Sequence, residues 1–186
     1  MAGVKMRLIL DTNIWLDWLV FEDTGIAAIR QLQGAGHLEI CIDTVCEAEL
    51  VRVLAYPLGK RTLDAKAQGT ALAQCRRVVT RIAASVSDGE RARLPVCRDP
   101  DDQKFLEAAL VAQAGFLITK DRALLELARR RGGRRVPFQI LTPDEFAELA
   151  ANSLRCGHRR LFCVEVNVHE LHIETLRLEL CRSTLA

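Results

Sequence analysis

The chain has 186 residues, with 26 Lys and Arg against 24 Asp and Glu, a net charge of +2. That length suits one domain plus an extension and can bury its own core without staples, while so small a net charge does not by itself mark a nucleic-acid binder. Seven cysteines with no Cys-x-x-Cys pair exclude an orderly disulfide framework or zinc site, and no apolar run approaches the ~20 residues of a membrane helix.

The cysteines are Cys41, Cys46, Cys75, Cys97, Cys156, Cys163 and Cys181. They read as small buried apolar residues in a reducing compartment. No charged-then-apolar leader opens the chain, so a soluble, cytoplasmic protein with no membrane partner is expected.

Met6-Arg7-Leu8-Ile9-Leu10 reads as a first strand, and Asp11-Thr12-Asn13 follows it. A carboxylate at the C-terminal end of a first strand sits where open α/β sheets place their ligands. Ile14 to Leu19 turns into a helix, with Asp17 read as a surface carboxylate. Trp15 and Trp18, at i and i+3, read as core or interface rather than as a stacking platform. Ile26 to Leu32 is a second helix closed by Gly34 and Gly36, and Leu38 to Ile42 a second strand.

Thr44 to Leu54 is a capped helix carrying Glu47 and Glu49. Thr44 and Glu47, three apart, suggest a capping box, which leaves Glu49 the freer carboxylate. Tyr56-Pro57 ends the helix. Residues 62–84 carry Leu72, Cys75, Val78, Val79 and Ile82 at helical spacing, a long arm with a possible break at Gly69 and with Arg76, Arg77 and Arg81 on its other face. Val86 is read as the start of a short strand and Ser87 to Pro95 as a polar loop.

Asp99, Asp101 and Asp102 then stand within four positions around Pro100. A capping role accounts for them: Asp99 as N-cap, Pro100 at the first helical position, and acids at the positive end of the macrodipole. Phe105, Leu106, Ala109 and Leu110 face inward and Gly115 closes the helix. Phe116 to Thr119 is a strand, Lys120-Asp121 opens a helix, and Gly132-Gly133 closes it. Arg129, Arg130, Arg131, Arg134 and Arg135 gather at that end. A solvated helix terminus and a phosphate-binding patch are both consistent with them. Val136 to Leu141 is an edge strand because of Pro137, and Thr142-Pro143-Asp144-Glu145 carries an N-cap, an N1 proline and an N3 glutamate.

Strands alternating with helices imply a mostly parallel sheet covered on both faces. Asp11, Glu47 or Glu49, the Asp99 group and Asp121 then offer carboxylates at strand ends and helix starts. Meeting in one cleft they would repel unless divalent cations lay among them, and such hard oxygen ligands suit Mg²⁺ or Mn²⁺.

In order and spacing these segments resemble the PIN-domain ribonucleases. The residues that carry the resemblance are Leu8-Ile9-Leu10-Asp11-Thr12-Asn13, Glu47-Ala48-Glu49-Leu50-Val51-Arg52-Val53-Leu54, Asp99-Pro100-Asp101-Asp102-Gln103-Lys104-Phe105-Leu106-Glu107-Ala108-Ala109 and Leu117-Ile118-Thr119-Lys120-Asp121. Ile140 to Phe146 is similar to the family's closing strand and helix. Within the family the pattern is most similar to proteins described as toxins of toxin–antitoxin pairs.

The resemblance implies a PIN-like three-layer α/β/α fold over residues 1–150, with residues 151–186 an extension of unassigned role. It implies a Mg²⁺- or Mn²⁺-dependent endoribonuclease, cleaving RNA to leave 5′-phosphate and 3′-hydroxyl ends. Asp11, Glu49, Asp102 and Asp121 would hold the metal, Glu49 and Asp102 being the residues that match the family's spacing. Asp99 is the further outer ligand or cap, and Asn13 and Thr119 would orient the ligand carboxylates. An RNA substrate, a cognate antitoxin protein and a homodimer are the expected partners.

Other classes fit less well. A haloacid-dehalogenase-type phosphatase needs an acid where Asn13 stands, and a receiver domain does not place its Thr and Lys adjacent as in Thr119-Lys120. A non-catalytic RNA- or protein-binding member of the same fold is the alternative; metal-dependent cleavage separates the two. The segment 152–186 alternates apolar and polar residues from Phe162 onward, as a strand would. His169 and His172 there are too few to make a zinc site.

Overall fold

The structure is a computed structural model that describes residues 5–83, 85–129 and 135–155. Five strands form one all-parallel sheet in the order β3-β2-β1-β4-β5. They are β1 (Met6–Leu10), β2 (Leu38–Ile42), β3 (Val79–Arg81), β4 (Phe116–Ile118) and β5 (Gln139–Leu141). β1 lies at the centre, with Leu8 registered against Ile40 of β2 on one side and Phe116 of β4 on the other. The three central strands are mostly apolar, interrupted only by the half-buried Arg7 and Glu39, and their other residues are buried. That is what a parallel sheet covered on both faces requires.

Two helical layers provide the cover. α2 (Ala27–Gly34) packs on β2 and on α8 (Pro143–Arg155), which also packs on β5. α6 (Gln103–Val111) packs on β1, β4 and α3 (Thr44–Leu54), and α3 on α1 (Thr12–Leu16) and α4 (Ala65–Val78). α7 (Arg122–Arg129) packs on β5. Trp15 and Trp18 belong to the core, with ring centroids 5.8 Å apart. This is the expected three-layer α/β/α arrangement.

Several local expectations are corrected. The arm over residues 62–84 is not one helix: α4 runs unbroken through Gly69, and Val79–Arg81 leaves it as β3, paired in parallel with β2. Two consecutive β-branched residues, Val78 and Val79, reach the sheet edge there, and pairing with Ile40 to Ile42 outweighs helical periodicity. Val86 is buried but lies outside any strand, and the expected polar loop contains a short helix, α5 (Asp88–Arg91), opened by a capping box of Ser87 and Glu90.

α3 is capped by Asp43 rather than Thr44: Asp43 Oδ1 accepts from Cys46 N at 2.7 Å. Glu47 is then one position too far along to complete a box and binds arginines instead. Asp17 is not a surface carboxylate; it is buried and ion-paired at 2.7 Å with Lys120, which also holds Asp23 at 3.0 Å. α8 continues to Arg155, past the boundary expected at residue 150. The strand expected within residues 152–186 and His169 and His172 lie outside the described residues, as do Cys156, Cys163 and Cys181.

Candidate metal and nuclease site

The chain leaves β1 toward β2 and later returns to build β4 on the other side, so the crevice beyond the carboxyl ends of β1 and β4 is a topological switch point. Asp11 follows β1 directly, and Thr119 and Asp121 follow β4. The ladder extends one residue further here, with Asp11 N donating to Ile118 O at 3.0 Å. That bond fixes the depth at which the Asp11 carboxylate projects.

Asp11 is 3% exposed. Its Oδ2 accepts from Thr119 Oγ1 at 2.7 Å and its Oδ1 receives a long contact from Asn13 N at 3.4 Å. Thr119 Oγ1 in turn accepts from Asp121 N at 2.9 Å. Asp121 commits one oxygen to cap α7, accepting from Ala123 N at 2.6 Å and Leu124 N at 3.2 Å. One hydroxyl therefore sets the relative positions of two acids that belong to different strands. Asn13 contributes its backbone N–H; its side chain is exposed, so of the two residues expected to orient ligands only Thr119 does so through its side chain.

Asp102 approaches from the opposite wall, at the end of a 3₁₀ turn (Pro100–Asp102) that leads into α6. Asp99 caps that turn as expected, accepting from Asp101 N at 3.0 Å, and is exposed. The Asp102 carboxyl is pushed up to about 7. Burial is the main cause; the charges of Asp121, Asp11 and Asp99 follow, and a hydrogen bond to Asp121 favours the protonated form. Burial likewise raises Asp11, against the hydrogen bond from Thr119. Asp11, Asp102 and Asp121, more than a hundred residues apart at the extremes, are thus electrostatic neighbours.

Glu49 has a cation for a partner. Its carboxylate is ion-paired with Lys104, and the two side chains are 16% and 15% exposed. Glu47 lies apart, its Oε1 receiving Arg76 Nε at 2.6 Å and Arg81 Nη2 at 2.8 Å. Among the described residues no three His, Cys, Asp or Glu side chains converge closely enough to hold a metal ion as they stand. Of the four expected carboxylates, Asp11, Asp102 and Asp121 repel one another and Glu49 is paired with an ammonium. The donor set is nonetheless all hard oxygen, which fits Mg²⁺ or Mn²⁺ and not a soft metal.

The sequence alone gives no role to Lys104 and no sign of the clasp of Arg76 and Arg81 on Glu47. Nothing in the local spacing signals either contact, since the partners lie 29 to 34 residues apart in the Glu47 clasp. Of the arginines proposed for RNA, Arg129 and Arg135 are exposed; Arg130, Arg131 and Arg134 lie outside the described residues. Cys41, Cys46, Cys75 and Cys97 are buried free thiols, and burial pushes Cys41 up to about 11 and Cys75 to about 12, as suits inert packing groups. Among the described residues no helix is long and apolar enough to cross a membrane.

The family described as PIN domain matches residues 7–123, more than half of the chain and all four of the expected acids. No curated protein matches. Among solved structures the chain is similar to one in the crystal structure of VapBC2 from Rickettsia felis bound to a DNA fragment from their promoter. The identity is 18% and the TM-score 0.48, over 73% of this chain and 97% of that chain.

Proposed function

Because the chain belongs to the PIN-domain family, we propose that it is a metal-dependent endoribonuclease that hydrolyses RNA phosphodiester bonds, acting in the cytoplasm as the toxin of a toxin–antitoxin pair. The observation that carries this reading is the placement of Asp11 and Asp121 at the switch point on one shared hydroxyl, that of Thr119, with Asp102 near enough that burial first, and then the charges of Asp121 and Asp11, raise its carboxyl. Neighbouring carboxylates of this kind are stabilised by a divalent cation among them.

Asp11, Glu49, Asp102 and Asp121 would hold Mg²⁺ or Mn²⁺, with Asp99 at the rim. Bound there, the metal would lower the pKa of water and stabilise charge on the phosphate. The chain's own part is positional. Thr119 orients Asp11 and the backbone of Asp121 together, and the capping bonds from Ala123 N and Leu124 N fix one oxygen of the Asp121 carboxylate. In sequence, Arg130, Arg131, Arg134 and Arg135 follow Arg129, the last residue of α7, which lies about 10 Å from the helix start. They would neutralise phosphates flanking the scissile one. An antitoxin protein and a second copy of the chain complete the proposed partners.

The test is incubation of the purified chain with RNA and single-stranded DNA oligonucleotides in Mn²⁺, Mg²⁺ or chelator. Cleavage of RNA that needs metal and is lost in Asp11→Asn is expected. RNA binding without cleavage would replace this reading with the non-catalytic one, and cleavage of DNA alone would correct the substrate.

A further inference from the structure

One cation already stands among the proposed ligands, and the chain supplies it. Lys104 lies two residues beyond Asp102, near the start of α6. Its Nζ pairs with Glu49 Oε2, donates to the backbone carbonyl of Asp101 and lies 4.8 Å from the Phe105 ring centroid. The charges of Asp11 and Asp43 also act on it. Glu49 Oε2 is buried and has no regular hydrogen-bond donor among the described residues, so the ammonium is what compensates its charge. A buried carboxylate stripped of such a partner is strongly destabilising.

A divalent ion seated on Glu49 Oε2 would repel the Lys104 ammonium already held there, two cations drawn to one oxygen. We infer that Lys104 is a resident counter-ion that competes with the metal for Glu49, so that metal entry must displace it. The inference rests on the metal-dependent reading above and adds a device to it: the acidic cleft holds its fold without metal, at the expense of affinity for metal. Metal then sees only the fraction of molecules in which Glu49 is released, and the apparent Kd is the intrinsic one divided by that fraction. An ammonium on Glu49 nine-tenths of the time weakens binding about tenfold.

The experiment is Mn²⁺ titration of the full chain by calorimetry, for wild type and Lys104→Met, which keeps the stem over Phe105 and removes the charge. Tighter Mn²⁺ binding by Lys104→Met, about tenfold, is expected. A second measurement uses wild type alone: amine acylation read by peptide mass spectrometry, in which Lys104 is protected in chelator and becomes reactive with Mg²⁺. That measurement decides if Lys104→Met does not fold. Equal or weaker Mn²⁺ affinity in Lys104→Met, or Lys104 reactivity unmoved by Mg²⁺ that binds, overturns the inference and leaves the nuclease reading intact. Absence of Mn²⁺ binding in both proteins overturns the metal reading and the inference together.

Discussion

Thr119 donates a hydrogen bond to Asp11 at 2.7 Å, fully buried and across 108 residues of sequence. The bond joins the ends of two adjacent parallel strands, and the same hydroxyl accepts from Asp121 N. Removing it leaves a buried carboxylate short of a donor. Thr119→Val should cost about 1–3 kcal/mol in chemical denaturation and raise Asp11 further, because that bond now holds it down. Thr119→Ser keeps the hydroxyl and should recover most of the loss. A Thr119→Val protein as stable as wild type would show that the hydroxyl does not serve Asp11.

The Asp102 carboxyl is raised from its ordinary 3.8 to about 7. The folded state therefore holds this proton more tightly than the unfolded chain does. The stability it contributes is fully present below about pH 4 and is lost as the pH rises through about 7. Denaturation midpoints in chelator should fall across that window, and Asp102→Asn should flatten the fall. Adding Mg²⁺ should restore stability near neutral pH by favouring the ionised form. A metal-free profile that rises between pH 5 and 7.5, identical in Asp102→Asn, would contradict the crowded site.

Glu47 and Glu49 are two residues apart and should behave differently. Glu47→Ala strips Arg76 and Arg81 of their shared partner, for a loss of about 1–2 kcal/mol, with cleavage retained at temperatures where the variant is folded. Glu49→Gln should abolish cleavage. Assaying the two side by side checks the assignment, and the reverse outcome would exchange their roles.

Gly69 sits inside α4 with open space where a Cβ would be. Gly69→Ala should stabilise the protein by about 0.5–1 kcal/mol, since it lowers the entropy of the unfolded chain and favours the helix. Gly36 and Gly59 adopt φ of +76° and +65°, and alanine there should destabilise. Thermal melts of the three variants check both signs.

The local grammar of this chain was written in its sequence. Strand β2 falls on the expected Leu38–Ile42, Asp99 and Pro100 open the 3₁₀ turn, and Thr142 and Glu145 form their reciprocal cap at 2.8 and 3.2 Å. These features depend on neighbours within four residues, which composition and spacing describe directly. The ordered acids were equally legible, because strand ends and helix starts follow from the same patterns. Tertiary structure decided what those patterns do not contain. Val79 to Arg81 left a helical periodicity for the sheet edge because β2 offered unpaired backbone. Glu47 turned from the expected cap to Arg76 and Arg81, and Glu49 met Lys104, because both carboxylates are largely buried and a buried charge takes whatever cation the fold brings beside it. Which carboxylate is raised, which is capped and which is paired with an ammonium depends on through-space distance in a low-dielectric interior, a quantity that no local spacing encodes.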